Sequence, residues 1–386
     1  MTVTGPNGFR AAGVAAGIKD SGALDLALIV NDGPAQAAAG VFTRNVIKAA
    51  PVLWSQEVLR QQRLRAVVLN SGGANAATGP AGFQDTHATA EHAAKVLDTG
   101  AIEIAVCSTG LIGERLPMEA VLSGVDTAAE ALDSTPEAGL AAATAIMTTD
   151  SKPKHSFKTH IDGWGIGGIA KGAGMLAPNL ATMLSVITTD AMLEPDALDA
   201  ALRAATRVTF DRLDVDGGTS TNDTVLLLSS GASDLAPSVD GFTELLTAVA
   251  LDLVYQLRAD SEGATKDVDI VVHGAASEQD AINVGRTVAE DNLVKTALFG
   301  SDPNWGRIAM ALGRAQAEID PDTLSIAING VTLFANGTTA ADRAQADLSG
   351  RAIEIVIDLG VGDSGATIYS TDLSHGYVEE NSAYSS

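Results

Sequence analysis

Residues Lys171–Asp190 read KGAGMLAPNLATMLSVITTD. Gly172 and Gly174 make a flexible turn beside Lys171. Pro178 then stops any helix. After it comes the apolar run Leu180–Ile187, rich in aliphatic and β-branched residues, whose pattern predicts a buried strand. Thr182 stands at the mouth of that strand, directly after Ala181. A hydroxyl held at the start of a buried strand, a few residues beyond a lysine and a glycine turn, is a candidate nucleophile. Threonine also suits strands through its branched side chain, so spacing alone leaves both readings open.

The chain around this stretch has 386 residues, enough for two or three domains with a sizeable core. Aromatic residues make up only 4%, so the core is expected to be aliphatic and alanine-rich. Asp and Glu outnumber Lys and Arg by 48 to 24, a net charge of −24 that argues against nucleic acid and anionic membranes as partners. Any carboxylate-bearing substrate therefore needs a local basic site, for which Lys171 is the candidate. Cys107 is the one cysteine, so an intrachain disulfide is excluded and a reducing compartment fits. The start MTVTGPNGFR lacks a signal-peptide pattern, and no apolar run reaches the roughly 20 residues of a membrane helix. A cytoplasmic protein is expected.

Upstream, strands are predicted at Leu24–Val30, Ala38–Thr43 and Arg65–Leu69, with a short helix near Val52–Gln61. The third strand runs into NSGGANAATG, a loop able to surround an anion with backbone N–H groups or simply to turn the chain. A helix over Phe83–Leu97 leads to a strand at Ile102–Cys107 that ends in STGLIG, where Gly110 either lets backbone approach a reacting carbonyl closely or simply turns the chain at the strand end. Helices are predicted from Pro117 and over Pro136–Met147. Downstream, a helix from Pro195 to Phe210 precedes the acidic loop DVDGGTSTNDT and a strand at Val225–Ser230. A long amphipathic helix, Phe242–Asp260, is followed by alternating strand and helix and then by strands at Leu324–Ile328, Val331–Ala335, Ile353–Leu359 and Ala366–Tyr369. This order predicts an α/β fold.

Several short motifs fail on context. Ser151–Lys154 spells SxxK, but Pro153 breaks the required helix and the companion strings are absent. Gly165, Gly167 and Ala170 spell GxGxxA, yet a turn and Pro178 follow where a nucleotide-binding helix should open. The loop after Asp214 lacks the terminal glutamate of a calcium-binding EF-hand. His87 and His92 lie five apart, on different faces of a helix, and the six histidines form no metal set.

The string K-G-x-G-M-x-x-P-x-x-A-T-M-L, Lys171–Leu184, resembles the self-cleavage site of the ornithine acetyltransferase (glutamate N-acetyltransferase) family of arginine biosynthesis. Matching strings follow in family order: FTRN at Phe42, CSTGLIG at Cys107, MTTD at Met147, STNDT at Ser220, EGATK at Glu262, GSDPNWGR at Gly300 and the tail ENSAYSS. Together they span nearly the whole chain.

The resemblance implies a layered α/β sandwich of the self-processing type with a smaller, strand-rich C-terminal domain. It implies a cut between Ala181 and Thr182 into fragments 1–181 and 182–386, the second containing an α/β domain from about 240 to 386. Thr182 is then the nucleophile and its own α-amine the base. Thr109 and Gly110 form the oxyanion hole, and Thr148, Lys171, Thr182, Glu262, Asn381 and Ser386 contact substrate. Ser386 falls at a variable position of the pattern. The substrates implied are N-acetylornithine and glutamate, with acetyl-CoA a further donor in some members, and neither cofactor nor metal. The two fragments are expected to pair in a heterotetramer of two copies each. Two alternatives stand beside this reading: a self-processing amidase or aminopeptidase that passes its acyl group to water, and a non-catalytic acidic binding protein. The tail and EGATK strings favour transfer, and the intact ATML disfavours the binding protein.

An amino-terminal threonine supplies its own base, because an α-amine titrates near 7.7–8.0 and is partly neutral at physiological pH. No histidine partner is required. On a denaturing gel the purified protein is expected to give two fragments, the second beginning at Thr182. Thr182→Ala should give one uncut chain without transferase activity. A wild-type chain that is active but uncut would contradict the reading.

Overall fold

A computed structural model describes residues 1–176 and 183–383. Chain order begins with strands β1 (Phe9–Val14), β2 (Leu26–Asn31) and β3 (Ala37–Phe42), then helix α1 (Ala50–Val58). Next come β4 (Ala66–Gly73), α2 (Gly79–Val96), β5 (Ile104–Leu111), α3 (Met118–Glu130) and α4 (Pro136–Ala145). They are followed by β6 (Lys154–Thr159), β7 (Gly165–Lys171), β8 (Leu184–Thr189), α5 (Pro195–Val208), β9 (Thr224–Ser229) and α6 (Val239–Ala259).

These elements build a four-layer sandwich. One sheet has the order β1-β2-β4-β5, with β4 and β5 parallel. The other has the order β3-β9-β8-β7-β6, parallel only between β8 and β9. Alternation along the strands assigns each face. Ala27, Ile29, Val67, Leu69, Ala105 and Cys107 of the first sheet share a core with Ile169, Leu184, Val186, Leu226 and Leu228 of the second, so the sheets pack face to face. Leu26, Leu28, Ala66, Val68, Ile104 and Val106 point the other way, against α2 and α3. Ile166, Ile187, Val225 and Leu227 pack on α5 and α6. Strands covered on both faces read as continuous apolar runs, and β2, β8 and β9 are buried at every residue. The scarcity of aromatics is met by alanine: Ala90, Ala93 and Ala94 of α2 and Ala201 and Ala205 of α5 lie against sheet.

A second unit follows, with its own core. Strands β10 (Asp267–Ala275), β11 (Ser325–Ile328), β12 (Val331–Ala335), β13 (Thr338–Thr339), β14 (Ala352–Asp358) and β15 (Ser364–Thr371) form a sheet in the order β13-β12-β11-β14-β10-β15. Helices α7 (Glu278–Ala289), α8 (Asn292–Phe299) and α9 (Trp305–Leu312) cover it, and α10 (His375–Ala383) closes the described chain. In β10, Val268, Ile270 and Val272 face this core while the residues between them do not, as a sheet covered on one side requires. The expected boundary near 240 shifts accordingly. Helix α6 belongs to the sandwich through Phe242, Leu246, Val249 and Leu253, and the second core starts at Val268.

Two strands run further than the sequence predicts. β4 continues through Asn70–Gly73 and β5 through Ser108–Leu111, because their parallel pairing persists from Ser71–Thr109 to Gly72–Gly110. The strand expected at Leu180–Ile187 is described from Leu184 to Thr189; its first residues, Thr182 included, lie outside the described residues. Among the described residues no helix is long and apolar enough to cross a membrane.

Candidate active site

Three strand ends meet at one end of the sandwich. β5 brings Thr109 and Gly110 from the first sheet, and β7 ends at Lys171 in the second. In the antiparallel register of β7 and β8, Lys171 lies opposite Leu184, two residues beyond Thr182. Around them opens a cleft of about 600 Å³, part of it open to solvent, whose wall includes Thr109, Gly110, Thr148, Lys171, Glu262 and Asn381. Six expected site residues, distant in sequence, thus line one cavity. The remaining expected residues, Ala181, Thr182 and Ser386, lie outside the described residues.

Lys171 is only 2% exposed, and its Nζ donates to Thr148 Oγ1 at 2.8 Å and to Thr109 Oγ1 at 3.3 Å. An ammonium has donors only, so both hydroxyls act as acceptors toward it and keep their own hydrogens free to donate elsewhere. Gly110 is required by its neighbour strand: at φ 131° a Cβ there would stand 2.5 Å from the Gly73 nitrogen. Glu262, in the turn between α6 and β10, accepts from Asn381 Nδ2 of α10 at 2.8 Å, so the last described helix folds back onto the cleft.

A buried charge chain underlies this wall. Asp150 accepts the N–H groups of Thr148 at 2.9 Å and Gly172 at 2.6 Å. Its carboxylate lies 2.5 Å from Lys154 Nζ and 3.9 Å from Lys171 Nζ. Lys154 is also 2.6 Å from Asp260 at the end of α6. Burial by itself would raise the Asp150 carboxyl, but the charges of Lys171 and Lys154 and the bond from Lys154 outweigh it and hold the group at about 2. Burial lowers Lys171 from the ordinary lysine value, with the attraction of Asp150 opposing. Ser151–Lys154 fails as a catalytic motif, and its lysine is a buried structural cation. Asn222 is a site residue that the STNDT string does not single out; its Nδ2 donates to the carbonyls of Ala74 at 2.6 Å and Ser108 at 2.8 Å, tying the two sheets at the cleft. Cys107 is buried in the inter-sheet core, where desolvation pushes its thiol up to about 12.

Fold and cleft together define a layered α/β protein whose paired hydroxyls, oriented by a buried lysine, open beside the start of β8 at Leu184. The chain belongs to the ArgJ family, whose model matches residues 10–386. Curated relatives include the arginine biosynthesis bifunctional protein ArgJ of Mycobacterium bovis, 61% identical over 389 residues, covering all of this chain and 96% of the relative. That of Streptomyces coelicolor is 60% identical over 386 residues and covers both chains fully. Among solved structures, ornithine acetyltransferase complexed with ornithine from Mycobacterium tuberculosis is 63% identical, covering 47% of this chain and 96% of that one, with a TM-score of 0.46. The ArgJ bifunctional protein of Bacillus halodurans is 34% identical, covering 51% and 97%, with a TM-score of 0.49.

Asp150 gives a pH signature. Its folded pKa is depressed from 3.8 to about 2, so its contribution is complete above the unfolded value and is lost as pH falls through the folded one. The depression is worth about 2 kcal/mol. Asp150→Asn should lower stability at pH 7 by at least about 2 kcal/mol, because it leaves Lys154 and Lys171 under-compensated. It should also flatten the stability loss between about pH 4 and 2. Denaturant midpoints across that range test this; an unchanged midpoint at pH 7 would contradict it.

Proposed function

We propose that this protein transfers the acetyl group of N2-acetyl-L-ornithine to L-glutamate, giving L-ornithine and N-acetyl-L-glutamate in arginine biosynthesis. The observation that carries the reading is the convergence of Thr109, Gly110, Thr148, Lys171, Glu262 and Asn381 on one cleft. Family membership over residues 10–386 and full-length relatives named arginine biosynthesis bifunctional protein support it.

The site is made by self-cleavage. The Thr182 hydroxyl attacks the Ala181 carbonyl, forming an O–C bond as the C–N bond breaks, and the proton leaving oxygen ends on the new amine. Water then opens the ester, restoring the hydroxyl and releasing residues 1–181 with a new carboxylate. In the mature protein the Thr182 amine takes the proton of its own hydroxyl as oxygen attacks the acetyl carbonyl. The tetrahedral oxyanion is held at Thr109 and Gly110, whose free hydroxyl hydrogen and closely packed backbone suit that task. The amine returns the proton to the ornithine nitrogen as the C–N bond breaks. Glutamate enters as a neutral amine, attacks the acetyl-threonine ester, and the reverse proton path restores Thr182.

Both substrates carry an α-carboxylate and an α-nitrogen, so one cleft serves both. Lys171 supplies positive charge for the carboxylate, and Glu262, fixed by Asn381, suits the side-chain ammonium of ornithine. Ser386 completes the substrate contacts from the tail. The reading requires no cofactor. The fragments 1–181 and 182–386 stay together as a heterotetramer of two copies each, and the protein works in the cytoplasm. Acetyl-CoA is the proposed second donor, since the relatives are named bifunctional.

An assay with glutamate as acceptor and each donor alone separates the activities. N-acetylornithine should support N-acetylglutamate formation at a rate matching ornithine release, and acetyl-CoA should support it as well. Ornithine release without N-acetylglutamate would replace the transferase with an amidase. Thr109→Ala should lower turnover about 10²–10³-fold if its hydroxyl is a donor of the oxyanion hole. A near-silent substitution would leave that role to backbone N–H groups.

A further inference from the structure

The loop between α5 and β9, DVDGGTSTND from Asp214 to Asp223, carries three carboxylates that acetyl transfer does not use. Two of them reach the chain on either side of residues 177–182. Asp216 Oδ2 accepts the Met175 N–H at 2.6 Å, and Asp223 Oδ1 accepts the Met183 N–H at 3.1 Å. Backbone bonds repeat the bracket: Val215 N–H donates to the Leu176 carbonyl at 2.5 Å, and Thr224 N–H to the Met183 carbonyl at 3.0 Å. Asp216 is itself fixed by the Gly218 N–H on Oδ1 at 3.1 Å. Asp223 is 1% exposed.

The upstream side is held in an unfavourable conformation. Met175 lies at φ 56°, in the left-handed region that side chains of this kind rarely enter. Gly174 before it lies against Glu262, whose carboxylate a Cβ would meet at 2.3 Å unless that side chain moved. Such backbone persists only where its surroundings over-determine it. Here the Met175 N–H is drawn to Asp216 and the next carbonyl to Val215. One loop therefore grips the chain just before and just after the segment that contains Ala181 and Thr182.

We propose that Asp216 and Asp223 are positioning residues for self-cleavage: by accepting the N–H groups of Met175 and Met183, they fix both ends of the segment within which the Thr182 hydroxyl attacks the Ala181 carbonyl. The inference rests on the cleavage reading above. Burial raises both carboxyls, with the N–H bonds opposing. At Asp223 the positioning role survives either protonation state, because the Met183 N–H needs only one acceptor oxygen, whereas Asp216 uses both of its oxygens, for Met175 and Gly218. Misplacing reacting atoms by about an ångström costs on the order of 10²-fold in rate, so loosening one anchor is enough to slow the cut.

The test follows the uncut chain after cell-free synthesis of full-length protein, with Thr182→Ala as the uncut control and thermal melting of each variant. Asp216→Ala and Asp223→Ala should cut tenfold to a hundredfold more slowly, on the order expected for lost positioning. Asp223→Asn keeps an acceptor oxygen for the Met183 N–H and should cut within about threefold of wild type, a rescue that general destabilisation does not predict. If an alanine variant does not fold, the serine variant replaces it, since its shorter side chain also gives up the acceptor. Folded alanine or serine variants that cut at the wild-type rate overturn the proposal. An Asp223→Asn variant as slow as Asp223→Ala overturns it too, and assigns that carboxyl a proton-transfer role instead. An uncut wild-type chain overturns the cleavage reading itself, whereas a cut wild type with unaffected variants overturns this inference alone.

Discussion

A single buried carboxylate, Asp150, holds the cleft wall in place. It binds the backbone of Thr148 and Gly172 and two lysine side chains, and so joins the segment after α4, the start of β6 and the end of β7. Two cations compete for one anion. Lys154 wins the short contact and is completed by Asp260, while Lys171 stays 3.9 Å away and spends its hydrogens on two hydroxyls. The result is a positive group at the floor of a cleft in a protein of net charge −24. The local field is set by these neighbours at a few ångströms, in a medium that screens poorly, rather than by distant surface charge.

The architecture supplies the other half of the arrangement. Packing two sheets face to face puts the ends of β5 and β7 within hydrogen-bond reach of each other. Asn222 locks the same end by bonding carbonyls of the first sheet from the second. The second unit adds Glu262 at its entrance and returns Asn381 on α10. Amino-acid substrates with charges at both ends call for such a site, with a buried cation at one wall and a carboxylate at another.

Much of this was legible in the sequence. Unbroken apolar runs marked β2, β8 and β9, since strands covered on both faces have no polar side to show. Proline at the first turn marked α4 and α5. Less legible were β1, FRAAGV, and β6, KHSFKT, whose mixed residues carry little apolar signal. The short helices α8, α9 and α10 also went unread, being about two turns each. The glycine-rich ends of β4 and β5 looked like loops because glycine is a turn residue; here it permits close pairing. At the site, Thr109, Gly110, Thr148, Lys171, Glu262 and Asn381 line one cleft, while the strings FTRN and GSDPNWGR lie outside its lining. Lys154 and Asp223 are not legible as buried charges, because decisive partners lie far away in sequence: Lys154 meets Asp260, and Asp223 meets Met183.

The central claim is that Thr182, freed by cleavage, carries the acetyl group with its own amine as base. Rapid mixing with N-acetylornithine, followed by intact mass of the fragment beginning at Thr182, tests it most directly. An acetyl adduct on that fragment should form before glutamate is added, faster as pH rises through the titration of an α-amine near 7.7–8.0. Replacing each histidine in turn should leave the profile in place. No adduct, an adduct on another residue, or a pH dependence that vanishes with one histidine while the chain is still cut would contradict the account.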